Sequence, residues 1–136
     1  MTSAGLQLQK ALLQVLKADT GLNEWVNRRV FDHVPQQAEF PYITFGTAST
    51  YDWSTSTERG GEHLLTLHVW THRAGRKTVF AIMDRIEQLL LSGPLPLEGH
   101  TLVSIRLEYT QTALADSRGS FAGVMRYRAV TEEFQP

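Results

Sequence analysis

Cysteine is absent from the sequence. No disulfide can staple the fold and no thiolate can act as nucleophile or metal ligand, which suits a reducing compartment. No apolar run approaches the roughly 20 residues needed to cross a bilayer. The opening MTSAGLQLQK lacks the basic-then-apolar order of a signal peptide, so synthesis is expected in the cytoplasm. An excess of either charge is missing too. Thirteen Lys and Arg against 14 Asp and Glu leave a formal net charge of −1, too little to draw the whole protein to nucleic acid or an anionic membrane. The sequence has no G-x-S-x-G elbow and no G-x-G-x-x-G. Gly60-Gly61 is not followed by the Lys-Ser/Thr of a phosphate loop.

What is present is an ordinary globular balance. Apolar residues make up 42% and charged residues 20%, which argues against disorder, and 136 residues fit one domain, 1–136, with its own core. The organising stretch runs from Glu62 to Leu91. EHLLTLHVWT alternates, with Leu65, Leu67 and Val69 on one face and Leu64, Thr66, His68 and Trp70 on the other. HRAGRK turns the chain into a helix, TVFAIMDRIEQLLL. Its stripe is Val79, Ile82, Met83, Ile86, Leu89 and Leu90, and Ser92-Gly93-Pro94 is a stop signal.

Around this unit, Ser3 to Ala18 reads as a helix with Leu8, Leu12, Val15 and Leu16 on one face, ending at Asp19-Thr20-Gly21. Leu22 to Arg29 fits a short second helix. Val30 to Pro35 is extended, and Pro35 confines any strand there to an edge. YITFG favours a strand. Thr47 to Gly61 is rich in Ser, Thr and Gly and reads as a long, exposed, mobile connection. Thr101 to Thr112 is a third strand with Val103, Ile105, Leu107 and Tyr109 on one face and Arg106 and Glu108 on the other. Ala113 to Gly119 is a polar loop. In Ser120 to Glu132, a fourth strand, Met125, Tyr127 and Ala129 alternate with Val124, Arg126 and Arg128, before a loose tail, EEFQP. The expected fold is α+β: a roughly four-stranded, mostly antiparallel sheet with two main helices on one face and long polar loops between strands.

No chemistry stands out. His68 and His72 lie about 13 Å apart along one strand face, too far to share an ion, and His63 points the other way. Asp84 and Glu87 beside Arg85 read as a solvated helix face. No catalytic residue, cofactor or metal is assigned. Arg126 and Arg128 share a face that Arg106 can join. Such a stripe can meet phosphate or pair with carboxylates across a subunit contact, and no aromatic residues interleave it in the strand pattern. Tyr51 and Trp53 are large aromatics in a polar loop. Either they pack on the protein's own edge or they anchor a partner chain. With Arg59 and Arg118 from the two loops, the candidate interface set is Tyr51, Trp53, Arg59, Arg106, Arg118, Arg126 and Arg128.

The order of segments resembles a known family. A helix ending at D-x-G, then Val34-Pro35, FPYITFG, a Ser/Thr-rich loop and GGEHLLTLHVWT lead to the central helix. A short L-x-G link, LVSIRLEYT, D-x-R-G and GVMRYRAVTE follow. This is similar to the tail-completion, or tail-terminator, proteins of long-tailed bacteriophages and gene transfer agents, over about Leu8 to Phe134. The resemblance implies a structural virion protein and no enzyme. It implies a ring, typically a hexamer, at the head-proximal end of the tail tube, which stops tube growth and meets the head–tail connector while DNA passes through the hole without sequence-specific binding. It places the chain at the tail–neck junction of a virion or gene transfer agent particle, assembled in the host bacterial cytoplasm. The rival readings are a head–tail stopper in the neck and a small metal-dependent enzyme.

Overall fold

The computed structural model describes residues 3–72, 75–92, 95–116 and 119–133. Helix α1 spans Ala4–Ala18 and starts where Ser3 accepts the Leu6 N–H on its side chain at 3.1 Å. It buries Leu8, Ala11, Leu12 and Leu16. Asp19 ends it without stopping the helical course. The Asp19 carboxylate caps α2, Thr20–Val26, by accepting the Leu22 N–H at 2.8 Å. The same carboxylate takes two hydrogen bonds from Arg85, at 2.6 and 2.8 Å. Those bonds, more than the Leu22 cap, hold its pKa below the usual carboxylate range against the opposing effect of burial. Asn27 then takes a left-handed conformation and closes α2.

Five strands follow: β1 Val30–Phe31, β2 Tyr42–Asp52, β3 Gly60–His72, β4 His100–Leu114 and β5 Ser120–Glu133, with α3, Gly75–Ser92, between β3 and β4. They form one sheet in the order β1-β2-β3-β5-β4. β1 pairs parallel with β2, and the other three pairings are antiparallel. The α+β class and the helices on one face stand as expected. Among the described residues the strand number is five rather than four, because Val30 and Phe31 dock on Ile43 and Thr44.

The core lies between the helices and one sheet face. Leu65, Leu67 and Val69 of β3, Ile43 of β2, and Met125, Tyr127 and Ala129 of β5 meet Leu8, Leu12, Leu16, Leu22 and Val26 from α1 and α2. α3 adds Val79, Ile82, Met83, Ile86 and Leu90. Truncating one of these fully buried leucines to alanine costs about 2–5 kcal/mol. α3 comes down on β5 at Gly123, where a Cβ would lie 2.7 Å from both Val79 Cγ1 and Met83 Sδ. Only a residue without a side chain allows that approach.

Three sequence expectations are corrected. Thr47 to Gly61 is not a long mobile loop. β2 continues to Asp52 and β3 starts at Gly60, so only residues 53–59 connect them. That connection is a tight one: Trp53 N–H donates to Gly60 C=O at 3.2 Å and Thr55 N–H to Glu58 C=O at 2.7 Å. Thr, Ser and Tyr suited an edge strand as well as a loop. Second, Val103 and Tyr109 do not share a face with Ile105 and Leu107. Bulges between Leu102 and Ser104 and between Leu107 and Tyr109 each insert a residue and switch the alternation. Leu102, Ile105 and Leu107 pack on the core, while Val103 is 52% and Tyr109 42% exposed. Third, the supposed tail begins inside β5, which includes Glu132 and Glu133. Residues 134–136 lie outside the described residues.

Candidate assembly surface

Strand alternation puts the residues that do not face the helices on a second, outer sheet face. Register decides which of them become neighbours. Rows cross the sheet as Tyr51–Glu62–Val130–Ser104 and Ser49–Leu64–Arg128–Arg106. The next row sets Thr66 beside Arg126 and Arg126 beside Tyr109. Arg106, Arg126 and Arg128 therefore do meet on one face, as the spacing of the last strand suggested.

They do not form a bare basic stripe. The Arg128 guanidinium pairs with both Glu62 and Glu108. Arg106 reaches Glu108 at 3.6 Å, with its side chain 71% exposed. Arg126 lies 5.2 Å from the centroid of the Tyr109 ring. Glu108 shares this face with Arg106 by plain alternation, and Tyr109 joins it through the second bulge of β4. Sequence spacing separated Tyr109 from the arginines, and the bulge overturned the absence of an interleaved aromatic. No pattern in the chain marks that bulge.

The other half of the outer face, toward β1, is aromatic. Tyr42 contacts Phe31, Phe40 and Trp70, with ring centroids 5.8, 5.0 and 6.4 Å away. Phe40 also meets His72 at 5.4 Å. Trp70 stacks on His68 at 5.8 Å and donates from Nε1 to Thr44 Oγ1 at 3.0 Å. Burial beneath these rings lowers the His68 pKa. The alternation in FPY and HVW was the available sign of this cluster.

The remaining candidates separate. Tyr51 is part of β2, 57% exposed, on the same outer face as Glu62. Trp53 is half-buried against its own hairpin, where a Cβ on Gly60 would overlap its ring. Within the single subunit it packs locally. Arg59 sits at the hairpin end, 4.0 Å from Glu133 and away from the arginine row. Arg118 lies outside the described residues. At this end His63 is buried on the inner face, bonded to Thr50 Oγ1 at 3.0 Å and Thr131 Oγ1 at 2.9 Å. Burial first, and the nearby His100 second, lower its pKa. Among the described residues no group of three or more His, Cys, Asp or Glu side chains could hold a metal ion. No described helix is long and apolar enough to cross a membrane.

The outer face thus carries an ion-paired arginine row and an aromatic cluster. A family model described as tail completion protein gp17 matches residues 10–132. The chain belongs to the tail completion protein gp17 family. The resemblance in segment order is thereby family membership, and a member of this family is a structural tail protein, not an enzyme. Two solved structures are similar. A chain in the virion of a native gene transfer agent particle is 26% identical, with a TM-score of 0.87, covering 97% of this chain and 99% of that one. The gp17 protein of bacteriophage SPP1 is also 26% identical, with a TM-score of 0.64, covering 97% of this chain and 91% of that one. No curated protein matches.

Proposed function

We propose that copies of this tail-completion protein close into a ring, hexameric as in the family it resembles, at the head-proximal end of a tail tube. The ring ends tube growth and presents a docking face to the head–tail connector, in a phage virion or gene transfer agent particle. The observation that carries this reading is the match of the family over residues 10–132 in a chain whose outer sheet face, among the described residues, carries no helical layer. A ring needs two different complementary patches on each subunit, and one open sheet provides them. DNA passing through the hole must slide. The pairing of Arg128 and Arg106 with Glu62 and Glu108, and a net charge of −1, support a surface that does not hold phosphate tightly.

The test is to add the purified protein to polymerising tube subunits. A terminator binds one tube end and shortens the length distribution. A stopper leaves tube length unchanged and binds the connector side instead, which would replace this reading.

A further inference from the structure

The sheet has two open edges, on opposite sides. β4 is an edge over Thr101–Leu114: β5 pairs with it on one side, and among the described residues its other side carries a single bridge, from Leu97 to His100. On the other side β1 covers only Ile43 and Thr44 of β2. Beyond the bulge after Phe45, Ala48 to Asp52 pair regularly with β3 and, among the described residues, with no strand on their other side. Such an edge exposes alternate N–H and C=O groups and is a template for another strand. Charges and proline are the usual means of blunting it. Gly46 to Tyr51 contains neither, and neither does Tyr109 to Leu114; Arg106 is the sole charged residue among Val103 to Leu107.

The two edges also match in direction. β2, β3, β5 and β4 alternate in direction across the sheet, so β2 and β4 run opposite ways. Rotating a copy about an axis roughly along the strands therefore sets its β2 antiparallel to β4 of the first copy. The existing antiparallel order simply continues, subunit after subunit.

We infer that neighbouring subunits join by edge-to-edge β pairing, with Ser104–Leu107 of one copy against Ala48–Tyr51 of the next. The occupant of each edge is thus a second copy of this chain. Extending the cross-sheet rows sets Arg106 beside Ser49 of the next copy and Ser104 beside Tyr51. Arg106 and Tyr51 become diagonal neighbours, about 7–8 Å apart at the backbone, within reach of a long cation and a ring. Both point to the outer face and both are mostly exposed in the single subunit, 71% for the Arg106 side chain and 57% for Tyr51. This contact explains why an aromatic stands at an uncovered edge. It rests on the ring reading above and specifies which surfaces close the ring.

The cysteine-free chain allows a clean test. In Ser49→Cys/Ser104→Cys the two thiols of one subunit lie three strand spacings across and two residues along the sheet, about 16 Å apart. A bismaleimide with a spacer of about 8 Å spans the diagonal between copies but not the distance within one. Treated rings, in solution or on tube ends, should give a covalent ladder up to the subunit count found by native mass. Either single variant should give no cross-linked species within a ring, because the same residue in neighbouring copies recurs only every four strand spacings, about 19 Å. Amide exchange at residues 48–51 and 104–107 should slow at least tenfold on assembly. A ring of full mass without the ladder or without that slowing overturns the edge contact and leaves the ring standing. A chain monomeric both alone and with tube subunits overturns the ring, and the edge contact with it.

Discussion

Replacing Arg126 by glutamate tests whether the outer face serves assembly rather than folding. Arg126 is exposed and its described contact is the Tyr109 ring at 5.2 Å, which is worth about 0.5–1 kcal/mol at an exposed site. The new carboxylate stands beside Thr66 on one strand and opposite the bulged Glu108 and Tyr109 on the other, and the Glu108 charge is already paired with Arg106 and Arg128, so the added repulsion is small. The expected loss is about 1 kcal/mol or less, a fall in Tm of roughly 3–6 °C for a chain of this size. Arg128→Ala should cost more, about 1–2 kcal/mol, because it leaves Glu62 and Glu108 without their shared partner. Differential scanning calorimetry orders the two variants. Tube-end binding, measured beside it, should fall at least tenfold for Arg126→Glu although it is the milder variant for stability. A protein that folds normally and still caps tubes at wild-type concentration would show that Arg126 is merely solvated. A loss above about 3 kcal/mol would refute the structural reasoning itself.

Two further outcomes follow from the core. Gly123→Val puts methyl groups where even a Cβ would sit 2.7 Å from Val79 and Met83, so it should lower stability by about 1–3 kcal/mol in denaturant unfolding; an unchanged midpoint would mean that α3 does not approach β5 this closely. His63 has a folded pKa below its ordinary value of 6.5, chiefly through burial. The unfolded chain therefore binds its proton first, and stability should fall as pH drops below about 6.5, continuing down to the folded pKa. His68 adds in the same direction. Thermal unfolding of His63→Gln between about pH 7.5 and about pH 5.5 should show a shallower slope than the parent, and an identical slope would remove His63 from the explanation.

Much of this protein was determined by local pattern. Two- and 3.6-residue periods marked β3, β5, α1 and α3 and named the faces that they bury, because each element is half in a core and half out of it. The opposite facing of His63 and His68 followed from the same alternation. The order of segments led to the tail-completion family, since order survives where single motifs are weak. Tertiary structure alone decided the rest. Ser- and Thr-rich residues 47–52 suit loop and edge strand equally, and only the ladder from β3 made them a strand. The bulge that turns Tyr109 toward the arginines is a feature of how β4 pairs with β5 and leaves no periodic trace in β4 itself. That Arg128 spends its charge on Glu62 and Glu108, residues 66 and 20 positions away, is set by strand order. So is the presence of two open edges, one on each side of the sheet, because pairing between distant strands is a property of the folded whole.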